Sequence, residues 1–495
     1  MTPAAFAVSA PVIIAVGGVL AYFLAKSLPA GTRRWTGTFS ALWLAAVFLL
    51  LLASRLSASP AGGNPFSPLL RPSPLGTAFA LFVTFLGAAA VLASQGRIRP
   101  DGPVQLYYPL LLFALAGAAA AGFARDLFTL FVAVELSAIP SYALVAYRRD
   151  DEPRAVPAAV KYLLQGVSGT LTALLGVSLL YVAGHTLLIG ELPAALAGAD
   201  PRLLAAAAVL ITIGYGVKLG VVPVHTWLPD AYTYAPAGVT AAMAGATKAG
   251  ALLALVLSLA ALPAGGGAAL AGSLLILLAV VTMTAGNLLA FPQTDVRRLL
   301  AYSSIAQMGY ILLPFGIGIC YGLATGAVAG LFYMAAYGLM KGGAFLAADL
   351  LGAAAGSTEA PGMRGIGSRY PVIGAAFAIL ILGLIGVPAT AGFIGKSLIL
   401  FTGMATLSWA GVALALILVA NSALSLGYYV PVLSTVLFGG HGGDGRGLTP
   451  SAGIPLSGTI AVVLLTLATV LLGFFPGALA GALGSTPALL PWGVT

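Results

Sequence analysis

Residues 211–262 read ITIGYGVKLGVVPVHTWLPDAYTYAPAGVTAAMAGATKAGALLALVLSLAAL. Two apolar runs flank a short stretch rich in Pro and polar residues, and each run carries one lysine, Lys218 and Lys248, with apolar sequence on both sides. Similar runs recur along all 495 residues. About twenty apolar residues suffice to carry a helix across roughly 30 Å of hydrocarbon. The chain is 60% hydrophobic and 7% charged, against about a quarter charged in soluble proteins. A transmembrane β-barrel is excluded as well, because segments of about ten residues with alternating polarity are missing. The sequence therefore predicts an all-α polytopic membrane protein.

Working outward, the apolar runs predict helices near 5–26, 37–57, 76–95, 105–124, 126–147, 157–184, 202–222, 237–262, 267–291, 298–318, 321–351, 371–404, 407–438 and 455–481, fourteen in all. The connections between them are short and carry Pro, Gly or charge, as in 26–35, 97–102, 148–157 and 439–450, and none can hold a soluble domain. The run 5–25 lacks a preceding basic region and a cleavage site, so it reads as a retained span. Assigning alternate connections to the two sides puts thirteen basic residues (Lys26, Arg33, Arg34, Arg97, Arg99, Arg148, Arg149, Arg154, Arg297, Arg298, Arg364, Arg369 and Arg446) on one side. Arg55, Arg71, Arg125 and Arg202 fall on the other. Positive residues favour the cytoplasmic side, so both termini are expected outside the cytoplasm of a bacterial or archaeal cell. The same argument explains the net charge of +9 without nucleic acid. One cysteine, Cys320, and three dispersed histidines (His185, His225 and His441) give no basis for a disulfide, a metal site or a bound cofactor.

Five basic residues remain, and all are lysines within apolar segments: Lys161, Lys218, Lys248, Lys341 and Lys396, out of six lysines in the chain. Glu135, within LFTLFVAVELSAIPSYALVAY, is the one acid placed similarly. A charged lysine at the bilayer centre costs about 2.5 kcal/mol or more, so each needs a partner, a water-filled cavity or a neutral state. Burial weakens a lysine's hold on its proton and a nearby carboxylate strengthens it, so such a group can load and release a proton as a neighbouring charge moves. Lys161 lies about one turn from a helix end and could equally snorkel to the surface.

Two of the lysines sit beside helix breakers. In GYGVKLGVVPVHTWLPD, Gly216, Gly220 and Pro223 flank Lys218; in GLIGVPATAGFIGKS, Gly383, Gly386, Pro388 and Gly395 precede Lys396. A proline removes a backbone donor and clashes with the carbonyl four residues back, which frees carbonyls to meet water or a cation. Paired breaks of this kind point to an ion site near the middle of the membrane. His225 follows the first break and titrates near neutrality in its ordinary state, which suits a relay or a hydrogen-bonded structural role. Trp227 and Asp230 are expected to end the broken helix as interface anchors.

These residues carry a resemblance. PVHTWLPDAYTYAPAGVTAAMAGATKAGALL (223–253), DVRRLLAYSSIAQMGY (295–310) and GVPATAGFIGK (386–396) resemble the antiporter-like membrane subunits: the proton-pumping subunits of respiratory complex I, the large subunits of Mrp-type Na+/H+ antiporters, and related membrane-bound hydrogenase subunits. The resemblance implies two inverted five-helix repeats, helices 4–8 and 9–13, with helices 7 and 12 broken. The corresponding divisions are 1–104, 105–262, 263–438 and 439–495. By position, Glu135 matches the glutamate of helix 5, Lys218 the lysine of helix 7, Lys248 the connecting lysine of helix 8, and Lys396 the helix 12 lysine that exchanges protons with the far side. Lys161 and His225 match further positions on the hydrated axis. Many members have a histidine four residues before the helix 11 lysine, where this chain has Tyr337 before Lys341.

What the resemblance implies is a proton-translocating subunit of a complex I-type NADH:quinone oxidoreductase, closest to the medium-length chains, with no redox centre or active site of its own. Its partners would be neighbouring antiporter-like subunits, lipid and protons. The alternatives are a D-type subunit of a multisubunit Na+(K+)/H+ antiporter, a hydrogenase-type subunit, or a stand-alone solute carrier.

Overall fold

The computed structural model describes residues 3–56, 69–99, 102–263, 266–438 and 453–484, which leaves His441, Arg446 and the connection 439–450 outside the described residues. Its helices are α1 (Pro3–Ser27), α2 (Trp35–Leu56), α3 (Pro74–Ser94), α4 (Val104–Ala121), α5 (Leu127–Val145), α6 (Ala155–Gly184) and α7 (Pro201–Leu219). There follow α8 (Ala237–Ala260), α9 (Gly266–Ala290), α10 (Val296–Tyr321), α11 (Ala324–Ala355), α12 in two halves (Pro371–Ile385 and Ala391–Met404), α13 (Trp409–Phe438) and α14 (Leu456–Phe474). Among the described residues thirteen helices are long and apolar enough to cross a membrane, and the expected segment 371–404 is divided into Pro371–Ile385 and the shorter apolar helix Ala391–Met404. Where the sequence predicts one helix over 455–481, the structure has α14 and a separate short helix, Gly477–Gly484.

Local chemistry sets the helix starts. Asp126 accepts from the amides of Phe128 and Thr129 at the head of α5, Asp200 from Arg202 before α7, and Asp295 from Arg298 before α10. Each carboxylate satisfies amides that the first helical turn leaves without partners and suits the positive end of the helix. The inner helices are α8, α10 and α11, 94% buried over their most apolar windows; α2 and α13, at 28%, lie outermost and turn apolar faces outward. The lysine-bearing helices α8 and α11 thus run through the middle of the bundle, where no lipid reaches them.

The alternation of connections is visible in contacts. Isolated β-bridges tie Leu70 to Ala124, Asp126 to Leu188, and Asp295 to Glu359. Each joins connections that the charge count assigns to one side. On the basic face, Arg99 pairs with Asp151 at 3.1 Å, Arg298 with Asp230 at 3.2 Å, and Arg97 with Asp349 at 2.9 Å.

Two expectations change here. Arg297, counted among loop charges, is only 4% exposed; its guanidinium donates to the Ala235 carbonyl and lies 3.7 Å from Asp349. Asp349 is itself 8% exposed on α11, so Glu135 is not the one acid within the apolar helices. Arg297 is drawn into the bundle because α10 begins at Val296, two residues before the predicted start, and Asp349, already inside the predicted helix, stays enclosed because α11 continues past it to Ala355. Removing one partner of a buried ion pair leaves the other uncompensated, at about 3–5 kcal/mol, whereas an exposed pair is worth about 0–1 kcal/mol. Asp349→Leu should therefore lower the thermal unfolding temperature of the solubilised protein markedly, and Asp151→Ala, from the exposed pair, should leave it nearly unchanged.

Candidate functional site: a line of buried lysines

Lys218 occupies the last turn of α7, the negative end of the helix, where a cation is favoured. The helix stops at Gly220, whose φ of +74° only glycine adopts freely; its amide and that of Val221 return to the Gly216 and Val217 carbonyls. A side chain at Gly220 would also strike Leu228. The chain then runs irregularly through Pro223 and His225 before a short helix, Leu228–Tyr234. The Trp227 indole donates to the Val217 carbonyl at 2.8 Å, and its ring stacks on Tyr162 at 4.1 Å. Trp227 is 1% exposed, so it closes the break from inside and is not an interface anchor. Asp230 also departs from the anchoring role, because it takes both Lys161, at 2.8 Å, and Arg298.

Lys218 is buried with its ammonium 3.3 Å from Glu135 Oε1 on α5. The ammonium donates to the Tyr142 hydroxyl, two turns along α5 from Glu135. Hence the carboxylate attracts Lys218 by charge while the phenol holds it by direction. Edge-to-face and stacked rings continue inward from Tyr142 through Tyr162, Trp227 and Tyr232. Lys248 lies beyond, 5.3 Å from the Tyr232 ring and 5.9 Å from that of Tyr337. Its ammonium meets no hydrogen-bonding side chain or carbonyl among the described residues. Cation–π attraction, about 2 kcal/mol when desolvated, is what the protein supplies to it. A π-helical turn, Met243–Thr247, immediately precedes Lys248 and displaces it from the regular helical register.

Lys341, on α11, donates to Ser303 at 2.5 Å, to the Leu300 carbonyl at 3.2 Å and to the Tyr429 hydroxyl at 3.2 Å. Lys248 is near enough to repel it. Lys396 follows the second break and reaches back across it, donating to the carbonyls of Leu384 and Ile385 at 3.0 and 2.8 Å. Those carbonyls would normally accept from residues 388 and 389, but Pro388 has no amide hydrogen and Ala389 leaves the helix at φ +69°. Gly386, at φ +98°, provides the space, since a Cβ there would stand 3.0 Å from Lys396 Cδ. The break thus produces the acceptors that hold the lysine.

Glu135, Lys218, Lys248, Lys341 and Lys396 are thereby brought into one line, from α5 through the bundle to α12. Lys161 is set apart at the basic face, 39% exposed on its ion pair, and half-buried His225 lies in the first break within electrostatic reach of Lys161. The residues that link the lysines are Tyr142, Tyr232, Ser303, Tyr310, Tyr429, Asn287 and Gln307, and sequence reasoning singled out none of them. Tyr310 is 4.8 Å, ring to ammonium, from Lys396. The signal that was present is a concentration of Tyr, Asn and Gln inside apolar helices, which gains meaning only once the pairings are known. Chemically the line offers protonatable amines, hydroxyls that can pass protons and one carboxylate.

Comparison with known proteins agrees with this architecture. Residues 124–424 match the family described as NADH:quinone oxidoreductase/Mrp antiporter, transmembrane. The NADH-quinone oxidoreductase subunit N of Heliobacterium modesticaldum is 38% identical over 406 residues, 80% of this chain and 81% of the relative. Subunit N of Desulfitobacterium hafniense is 32% identical over 490 residues, covering 95% and 96%. A chain of respiratory complex I from Thermus thermophilus, solved with bound aureothin, superposes with a TM-score of 0.76 at 29% identity over 96% of this chain and 99% of that one. On the strength of the family match and of relatives aligned along nearly the full length, this chain belongs to the NADH:quinone oxidoreductase/Mrp antiporter family of integral membrane proteins.

Proposed function

We propose that this chain is an antiporter-like, proton-translocating membrane subunit of a complex I-type respiratory assembly, and that protons move along the line of Glu135, Lys218, Lys248, Lys341 and Lys396. The observation that carries the reading is the line itself: four fully enclosed lysines, each held by a different kind of partner, in a chain whose relatives are named as subunit N. Relatives of that name favour the complex I-type assembly over the antiporter alternative. The work is done by charge. A carboxylate about 4 Å from an ammonium stabilises it by about 4 kcal/mol at an effective dielectric near 20. When a neighbouring subunit draws Glu135 away, Lys218 loses that support and its proton moves on toward Lys248. Repulsion between Lys248 and Lys341 passes the displacement to the second half, where Lys396 releases a proton on the far side. Lys161 and His225 supply protons from the basic face through the first break. The divisions 105–262 and 263–438 act as the two half-paths, with 1–104 and 439–495 as flanking helices.

In the assembled complex, Lys218→Ala or Glu135→Ala should abolish most redox-driven acidification of inverted vesicles while the complex still assembles and reduces quinone. Unchanged acidification in a correctly assembled Lys218→Ala complex would overturn this mechanism.

We assign both termini to the non-cytoplasmic side of the cell membrane, a reading supported by the excess of basic residues on the opposite face. With Cys320 replaced by Ser, a cysteine at Arg125 should react with a membrane-impermeant thiol reagent in intact cells. A cysteine at Arg34 should react only after the membrane is opened, and the reverse pattern would invert the assignment.

A further inference from the structure

Between Lys341 and Lys396 the side chains form a nearly continuous string. Lys341 donates to Tyr429 at 3.2 Å, and the Tyr429 ring packs against that of Tyr428 at 4.5 Å. Tyr428 donates to Asn287 Oδ1 at 2.9 Å, and Asn287 Nδ2 donates to the Tyr310 hydroxyl at 3.1 Å. The ring of Tyr310 faces Lys396. The orientation of the amide is fixed by its surroundings. Nδ2 also lies 3.0 Å from the Asn421 backbone carbonyl, which can only accept, so the oxygen must face Tyr428. A second amide shares an acceptor with Lys396. Gln307 Nε2 donates at 3.2 Å to the Leu384 carbonyl, the same oxygen that accepts from Lys396, and Gln307 Oε1 accepts from Tyr333 at 2.5 Å. Asn287 and Gln307 are both fully buried.

We propose that Asn287 and Gln307 are proton insulators around Lys396: two carboxamides that complete the hydrogen-bond network without being able to carry a proton through it. A hydroxyl passes a proton by accepting one and releasing its own, with no net change. An amide has a donor that does not dissociate and an oxygen that is not protonated near neutral pH, so a proton arriving at Tyr428 has no onward step through Asn287. The carbonyls of Leu384 and Ile385 are equally inert. Among the described residues Lys396 is therefore hydrogen-bonded only to groups that cannot exchange protons, and in this conformation these residues give it no proton-passing link to Lys341. Such a barrier prevents a pump from leaking backward between strokes, and it opens when movement or entering water bypasses the amide. The inference rests on the path proposed above, and Asn287 and Gln307 act as positioning residues within it.

The test uses vesicles that contain the assembled complex, with no electron donor present, and follows the decay of an imposed pH gradient. Asn287→Asp puts a carboxylic acid, which accepts on one oxygen and releases from the other, between Tyr428 and Tyr310. It should speed the decay several-fold, and adding Lys396→Ala should return it to the parental rate. Asn287→Leu is similar in size but cannot hydrogen-bond, so it should stay tight even where it weakens the protein, a distinction that a merely structural role would not produce. Gln307→Glu provides a second, independent variant. If both acidic variants stay as tight as the parent in a system where Lys396→Ala alone abolishes redox-driven pumping, the insulation is overturned. If Lys396→Ala leaves pumping intact, the path reading itself fails and the insulation fails with it.

Discussion

A lysine ammonium inside a membrane protein must be given something to replace water, and much of this bundle can be read as four answers to that requirement. Lys218 has a carboxylate and a phenol, Lys248 two aromatic faces, Lys341 two hydroxyls and a carbonyl, and Lys396 two carbonyls from a broken helix. These partners differ in how firmly they hold the charged form. Hydrogen bonds to a charged group are worth about 1.5–3 kcal/mol each, and cation–π contacts somewhat less. Lys248, with rings alone, is therefore the most weakly held of the four, which suits a residue placed between two better-held neighbours.

The helix breaks follow from the same requirement. An intact helix consumes its own carbonyls, so it can offer a cation only side chains. Breaking α12 at Gly386 to Thr390 releases main-chain acceptors that need a new donor, and Lys396 folds back onto them. The break after α7 is closed differently. Trp227 satisfies the Val217 carbonyl and Val222 finds Thr282, so the freed groups are occupied and Lys218 turns to α5. Similar breaks thus yield a lysine tied to its own helix in one half and a lysine tied to a neighbouring helix in the other. Only the second arrangement can respond to movement of that neighbour.

The helical framework was legible in the sequence because the length of an apolar run is a local property, and so was the presence of lysines within those runs. Gly220, Pro223, Gly386 and Pro388 marked the breaks for the same reason. What stayed hidden depends on pairing across the chain: Asn287 meets Asn421 at a separation of 134 residues, and Arg97 meets Asp349 at 252. Neutral hydroxyls and amides are ordinary in membrane helices, so Tyr142, Tyr429, Asn287 and Gln307 gave no signal until their partners were known. Trp227 was misread because tryptophan favours the interface when nothing inside takes its donor, and here the Val217 carbonyl at the helix end does. Arg297 was hidden because α10 begins two residues before the apolar run, and Asp349, though inside the run 321–351, because its partners Arg97 and Arg297 lie far away in sequence.

The spacing of the lysines gives the line its directional character. Two ammonium groups about 10 Å apart repel by roughly 1.7 kcal/mol at an effective dielectric near 20, a bias of roughly twentyfold against both being charged. Lys248 and Lys341 are close enough to be coupled in this way, so a proton on one discourages a proton on the other. Lys218 differs from them in having a carboxylate beside it, and its charge is therefore set at the end of the line, by the position of Glu135. A sequence of mutually repelling sites with one externally controlled end does not settle into a uniform charge state. Displacing the charge at that end changes the preferred occupancy of the next site, and then of the one after it. The carboxylate at α5 is consequently the element on which the response of the whole line depends, although it is the least enclosed member and makes no contact with Lys396 at the other end.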